Sequence, residues 1–394
     1  MKNIFLLLMI LLITTFNNLN ADLIDLYKKG TIKLIPDPDF GKGVEWDSLF
    51  YDERKTIVAA PDGTIFVASS HTHNIFKFNT RGELIGTYGR KGNGPGDLYH
   101  PKCNSILDRK YLVIGEYGLN RRISIFDFSG KCVKVIKTNH SCFGVVALKN
   151  NHVAYYTQKG KPGTKKGVSI FRASVMIKNI NTGKGIEIDS FDYILRNIPL
   201  ETGGGISTNN FLGDLYINQT GEGNLLVGVS NSPQVKIYSP KGKLIKTFRL
   251  NIQPVPVTKH YIEATKNSLL EEIKKRSLPS QLYKIFKKAI TKTDFRELFG
   301  EHLPYYRQVL VDSEGNMLFF KWLDCVGKTN EVFQVYSPGG EFVCETILDE
   351  NIYDWELDYH LFKTITFTNK GIFGIFKLDK EDDDYIRLVK VKIK

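Results

Sequence analysis

The chain has 394 residues, of which 42% are hydrophobic, 24% charged and 12% aromatic, a balance that excludes wholesale disorder and collagen-like or low-complexity classes. Lys and Arg total 54 against 42 Asp and Glu, a net charge of +12. Lys carries most of the excess, whereas phosphate and nucleic-acid sites recruit the planar Arg fork, so the charge reads as solvated surface with no nucleic-acid partner.

Residues 1–21 begin with Lys2, continue with the apolar run Ile4–Ile13 and end in Leu19-Asn20-Ala21. This is the layout of a signal peptide, and the run is far shorter than the roughly 20 residues that span a bilayer. Cleavage is expected to leave residues 22–394 as one domain, secreted or periplasmic, with no transmembrane segment. The cysteines are Cys103, Cys132, Cys142, Cys325 and Cys344. Their number is odd and none forms a C-x-x-C pair, which argues for buried thiols with at most one or two bridges; Cys103 and Cys142 are the pair considered.

Residues 57–88 hold four short runs of alternating apolar and polar residues: TIVAAPDG, TIFVASS, NIFKFNTRG and ELIGTYG. Period two with turn residues at each end predicts four antiparallel strands joined by hairpins. The third-to-fourth hairpin recurs at 75–85, 123–133, 235–245 and 332–343, and more weakly at 177–188. Counting units places them at 57–88, 105–137, 144–190, 210–250, 306–348 and 361–393. The last unit has only three strands of its own. GTIKLIP at 30–36 matches the missing fourth, which is how a radial all-β ring hides its open edges. The expected fold is therefore all-β: a six-bladed β-propeller closed by an N-terminal strand. Residues 258–300 break the pattern. Apolar residues at helical spacing, with Pro279 between two stretches, predict a two-helix insertion between blades 4 and 5. We expect it to pack over one face as a partial lid.

DGTIFVASSHTHNIFKFNTRGELIGTYGRKGNGPGDLYHP (62–101) resembles an NHL-type repeat. Gly89, Gly92, Gly94, Pro95, Gly96 and Pro101 match its connector. The second unit resembles it too, with Glu116 and Asn120-Arg121-Arg122 in the polar corner. Over the rest of the chain the resemblance is to the uncharacterised exported bacterial proteins described as six-bladed β-propellers. It implies a fold, not an activity, because that fold hosts lactonases, lyases, sensors and scaffolds.

In such a ring, strands A to D run from axis to rim. The B–C loops and D–A connectors share one face, and here they are the long, varied ones, so we assign ligand binding to that face. Its candidate residues are His71, His73, Glu116, Tyr117, Arg121, Lys161 and Asp382. A Lys-rich loop at 159–166 is expected on it, across the ring from acidic segments that include Asp37, Asp39, Glu45, Asp47 and Asp382–Asp384. His71-x-His73 alone is too few ligands for a metal site. Asp382–Asp384 lacks the Gly-spaced calcium loop, and Gly89–Gly96 lacks the Lys-Ser/Thr pair of a phosphate loop. No catalytic residue, metal site or cofactor is assigned, although calcium or another channel metal fits propeller enzymes. The reading is an exported, non-catalytic binding or scaffold module for a protein, peptide or glycan. The alternative is a channel-metal hydrolase or lyase of the lactonase or amidating-lyase type.

Overall fold

A computed structural model describes residues 22–49, 55–118, 120–161, 168–203, 205–207, 213–275, 278–322, 331–349, 365–368, 370–378 and 385–394. The described chain begins with a short helix, α1 (Leu23–Tyr27), followed by β1 (Thr31–Ile32), β2 (Leu34–Pro36) and α2 (Trp46–Leu49). Six sheets follow in chain order. The first is β3 (Lys55–Ala59), β4 (Ile65–Ser69), β5 (Asn74–Phe78) and β6 (Leu84–Tyr88). The second is β7 (Pro101–Leu107), β8 (Tyr111–Glu116), β9 (Arg122–Asp127) and β10 (Cys132–Lys137). The third is longer: β11 (Phe143–Leu148), β12 (His152–Gly160), β13 (Val168–Asn179), β14 (Gly185–Pro199) and β15 (Gly205–Ser207).

The fourth sheet is β16 (Leu215–Gln219), β17 (Leu225–Val229), β18 (Gln234–Tyr238) and β19 (Leu244–Arg249). Two helices, α3 (Lys259–Lys275) and α4 (Ser280–Lys292), come next in the chain. The fifth sheet is β20 (Tyr306–Val311), β21 (Met317–Lys321), β22 (Glu331–Tyr336) and β23 (Phe342–Leu348), and the sixth is β24 (Ile365–Thr368), β25 (Gly371–Leu378) and β26 (Tyr385–Ile393). Within each sheet consecutive strands pair antiparallel, as short hairpins dictate.

Side chains of one sheet interlock with those of the next. Phe66 and Ala68 of the first sheet meet Leu112 and Ile114 of the second. Val113 and Ile125 meet Val145 and Tyr155 of the third. Ala173 and Val175 meet Leu225 and Val227 of the fourth. Phe248 meets Phe319 and Tyr336 of the fifth. Leu318 and Phe320 belong with Ile365 and Phe367 of the sixth, and Phe373 and Leu388 of the sixth meet Ile57 and Ile65 of the first. The series returns to its start, so the sheets form a closed ring with the hydrophobic core divided into wedges between them. Burying apolar faces against one another in this way is what forces such layers together.

The N-terminal segment closes the ring differently from the expectation for residues 30–36. Leu34–Pro36 does complete the sixth sheet, antiparallel to β26. Thr31–Ile32 instead joins the fifth sheet, parallel to β23. Between them Lys33 and Lys394 exchange two backbone hydrogen bonds of 3.0 Å. One short stretch thus stitches the rims of two adjacent sheets. The helix before it seats Tyr27, wholly buried, against Phe333 with ring centroids 5.7 Å apart. The Tyr27 hydroxyl donates to Asp312 Oδ2 (3.3 Å), and Thr346 Oγ1 donates to the Tyr27 carbonyl (2.9 Å).

Turn glycines recur for two reasons. Gly82 has φ +82°, open to glycine at little cost. A Cβ there would also lie 2.6 Å from the Gly41 nitrogen. The second reason recurs. In the second, fourth and fifth sheets the third-to-fourth turn is capped by the rim of the preceding sheet: Gly130 by Tyr88, Gly242 by Ile186 and Ile188, Gly340 by Phe248.

The helices α3 and α4 bury their apolar stripe on one another and on Ile198, Ile206 and Trp322. Trp322 Nε1 donates to the Tyr261 hydroxyl at 3.1 Å. Arg196 of β14 donates to the carbonyls of Glu297 and Phe299, and Lys288 pairs with Glu201 at 2.8 Å. These partners lie at or just beyond the ends of β14, β15 and β21, so the helices bridge the third and fifth sheets. Among the described residues no helix is long and apolar enough to cross a membrane.

Candidate functional site

The loop-rich face is built from corners. His73, in the β4–β5 loop, accepts a hydrogen bond from the His100 backbone N–H on Nδ1 (3.1 Å) and is only 9% exposed. Burial first, and the neighbouring His100 second, hold its imidazole below the usual pKa, so the ring stays neutral. It lies 5.6 Å from the Tyr99 ring and 4.7 Å from the His100 ring. His71 is exposed beside it.

Glu116 ends β8 and is wholly enclosed. Its Oε2 accepts from the Tyr99 N–H (2.9 Å) and Asn120 Nδ2 (2.8 Å), and its Oε1 accepts from Arg122 Nε (2.6 Å) and Ser124 Oγ (2.8 Å). Arg122 then spends its other nitrogens on the carbonyls of Asn93 and Asp97, both at 2.7 Å. A buried carboxylate with four donors is fully satisfied. Glu116 therefore bolts the glycine-rich connector onto the second sheet and has no oxygen left for a ligand. Asp97 tightens the same connector by accepting from Arg90 Nε (2.9 Å) and the Gly94 N–H (2.9 Å).

Tyr117, the next residue, points outward and is 40% exposed. Its N–H donates to the His100 carbonyl at 3.2 Å. Its ring stands edge-on to Phe143 at 5.2 Å, and Phe143 stacks on Tyr156 at 5.7 Å. Six rings (His73, Tyr99, His100, Tyr117, Phe143 and Tyr156) thus run in an arc across the first three sheets. The sequence alone points to His73 and Tyr117 as ligand residues and to Tyr99 as a connector anchor; the direction of His100, Phe143 and Tyr156 only the fold supplies.

Backbone strain gathers here as well. His73 (φ 59°), His100 (φ 50°) and Arg121 (φ 42°) are non-glycine residues in the left-handed region. The other four such described residues, Asp108, Arg109, Asn150 and Asn151, lie in the three-residue turns between β7 and β8 and between β11 and β12. Arg121 is exposed and its carbonyl accepts from the Thr138 N–H at 2.8 Å.

Of the other expected members of the face, Lys161 begins the β12–β13 connection, whereas Asp37 and Asp39 are placed apart. Lys161 is at the third sheet and pairs with Asp192 at 2.5 Å. Asp37 is on the rim, where its N–H donates to the Lys390 carbonyl (2.8 Å) and its carboxylate pairs with Lys390 (3.6 Å). The Gly41 N–H donates to the Arg81 carbonyl of the β5–β6 turn at 2.7 Å. The connector after β2 therefore follows the wedge between the sixth and first sheets and carries Asp37 and Asp39 away from the loop-rich face. The reason is length: β2 has three residues, and Phe40 and Trp46 go straight into the core beside Phe373 and Phe78. Asp382 and the rest of 379–384, with Lys165 and Lys166, lie outside the described residues. Cys132, Cys142 and Cys344 are thiols; Cys325 and the Cys103 side chain lie outside the described residues. Among the described residues no three His, Cys, Asp or Glu side chains converge on a point that could hold a metal ion.

The sequence matches no protein-family profile and no curated protein. Solved structures are similar to it. A candidate exported protein from Bacteroides fragilis is 12% identical, with 96% of this chain and 97% of that one covered and a TM-score of 0.52. A member of the DUF4221 family from Bacteroides vulgatus is 10% identical over 93% and 99% of the two chains, with a TM-score of 0.46. Virginiamycin B lyase from Staphylococcus aureus is 10% identical over 84% and 79%, with a TM-score of 0.40. At these identities only the first likeness speaks, and it speaks of fold. Sheets packed face to face in a closed ring, with the chain's beginning joined to its end, make this chain a β-propeller.

Proposed function

We propose that the protein is an exported six-bladed β-propeller that binds a ligand on its loop-rich face without transforming it. Each of the six sheets is one blade, the N-terminal strand closes the sixth, and the two helices are an insertion between blades 4 and 5. The connector bolted by Glu116 and Arg122 supports the NHL-type reading of the first two blades. The leader-like layout of residues 1–21 supports export with cleavage to a secreted or periplasmic chain.

The observation that carries the binding reading is the arc of six rings with Tyr117 at its exposed centre. Rigid aromatic surface is what protein, peptide and glycan ligands share as an anchor. The strained corners at His73, His100 and Arg121 hold that surface in one shape, and strain of this kind collects where function fixes geometry. The test presents the immobilised protein with peptide and glycan libraries and with envelope fractions, beside Tyr117→Ala and Phe143→Ala. Loss of a retained ligand in both variants, with the ligand recovered chemically unchanged from the wild type, supports the proposal. Recovery of a hydrolysed or eliminated product favours the lyase or hydrolase alternative instead.

A further inference from the structure

One wedge of the ring is left unfilled. Tyr88 caps Gly130 and Phe248 caps Gly340, each from a position six residues after its own turn glycine. In the second sheet the residue at that position is Ile136, which is shorter and ends in the core cluster with Ile180. The turn it would have to cover is in the third sheet, and a Cβ on Gly183 there meets nothing within 4 Å. A groove of about 450 Å³ opens at this place.

The third sheet extends the groove. Its strands β13 and β14 have 12 and 15 residues, against 6 in β9 and in β10 of the facing sheet. One face of a ladder that alternation fixes borders the groove: exposed Lys159 pairs with exposed Arg172, and the buried Thr157, Tyr155 and Val153 pair with Ser174, Met176 and Lys178. From the Lys159 level to the Lys178 level is about 20 Å, at about 3.3 Å per residue. Cations therefore stand at both ends of a floor made of hydroxyls, a phenol and a thioether, with Asn139 and His140 of the β10–β11 connector as the opposite wall. Among the described residues Glu187 is the only carboxylate in the lining. Asp192, five residues further along β14 and opposite Arg172, is already taken up by Lys161 (2.5 Å) and Arg172 (3.5 Å). Lys178 Nζ donates to the Lys137 carbonyl at 2.9 Å, and no carboxylate pairs with Lys159 or Lys178 among the described residues. Burial pushes the Tyr155 phenol up to about 12, so it remains a neutral hydrogen-bond donor.

We infer that this groove is a second binding site, for a short anionic oligosaccharide. Sugar rings carry hydroxyl edges and apolar faces, which match Thr157, Ser174, Tyr155 and Met176. Carboxylate or sulfate groups along the chain match Lys159 with Arg172 at one end and Lys178 at the other. The volume is that of a small-ligand pocket. The groove occupies the side of the third sheet that faces the second, whereas Tyr156 of the aromatic arc points to the other side. The inference therefore stands independently of the reading of that face.

The test is titration calorimetry of the full mature chain at low and moderate salt. The probes are a galacturonate tetramer for carboxylates, a sulfated disaccharide for sulfates, maltotetraose as the neutral analogue and short polyphosphate as a bare polyanion. Binding of either anionic sugar, weakened at least tenfold in K159A/K178A and less than twofold in the charge-matched K131A/K241A, is expected. Ile136→Phe, which refills the wedge without altering charge, is expected to weaken it comparably. Should that variant fold poorly, the Lys pair decides. The inference is overturned if no anionic sugar binds, if maltotetraose or polyphosphate binds as tightly, or if both Lys pairs lower affinity equally. Which anionic arm binds identifies the charged group. Unchanged binding in Tyr117→Ala keeps this site separate from the aromatic face.

Discussion

Replacing Glu116 by Gln keeps the volume of the side chain and removes one charge from a wholly buried place. Four donors now face it: two nitrogens and one hydroxyl from side chains and one backbone N–H. Gln offers one oxygen, so its own NH₂ must confront two of those donors. Arg122, 8% exposed at its side chain, keeps two carbonyl acceptors but loses its counter-charge. Breaking one side of a buried ion pair costs about 3–5 kcal/mol. The two remaining carbonyl bonds to Arg122 place the expected loss near the lower end, about 3 kcal/mol. Urea unfolding should show it as a lower midpoint with an unchanged slope. Amide exchange should quicken first in residues 89–98, which Glu116 and Arg122 anchor. Arg122→Met in the same background should restore part of the loss, because the stranded charge is gone, while the Tyr99 N–H remains without its acceptor. A loss below about 1 kcal/mol, or strict additivity of the two substitutions, would refute the bolt.

Other expectations follow from the rim and the connector. Gly82→Ala should destabilise by about 1–3 kcal/mol in thermal melts, since it needs a left-handed φ and forces a Cβ onto the Gly41 backbone; a neutral result would mean that the Gly41 contact is not formed. Asp97 has its pKa held below the ordinary 3.8, by the Arg90 hydrogen bond first and the Gly94 N–H second. Its contribution to stability is therefore present above 3.8 and is lost as the pH falls through the lower folded value. Carboxyl chemical shifts should show a midpoint below 3.8 that rises in Arg90→Ala. Asp312 is shifted the other way by burial. Its folded pKa lies above the unfolded one, so at this site stability declines as the pH rises through the window between them. Tyr27→Phe removes a hydrogen bond that lowers that pKa, so the Asp312 midpoint should move further up.

The strand pattern was legible because each piece is governed by short-range rules. Alternation in IFKFNTRGELI sets two strand faces, and Gly82 marks the turn between them, where the structure has positive φ. Closure by the N-terminus was legible in part. Only period two and a missing partner were available, and neither distinguishes an antiparallel addition at Leu34–Pro36 from a parallel one at Thr31–Ile32. The helix at Leu23–Tyr27 was missed, being too short for any periodicity, and Tyr27 becomes core only through contacts more than 280 residues away. Spacing around Glu116 and Arg122 marked a polar corner. It could not tell a bolt from a ligand contact, since both use the same residue types and differ only in burial. The unfilled wedge was out of reach for a related reason. Ile136 is unremarkable in its own strand and matters only beside a turn 47 residues later.

The stitch formed by Thr31–Pro36 has a consequence for the order of assembly. Its partners are Ile347–Leu348 and Val391–Lys394. Thr31–Pro36 thus waits, without a place to bond, until Ile347–Leu348 and then Val391–Lys394 have been synthesised. A nascent chain can build its early sheets one upon another, each on its predecessor, but the hoop locks only on arrival of Val391–Lys394. Deleting residues 391–394 should therefore unfasten the sixth-sheet rim while Thr31–Ile32 keeps its partners Ile347–Leu348 on the fifth.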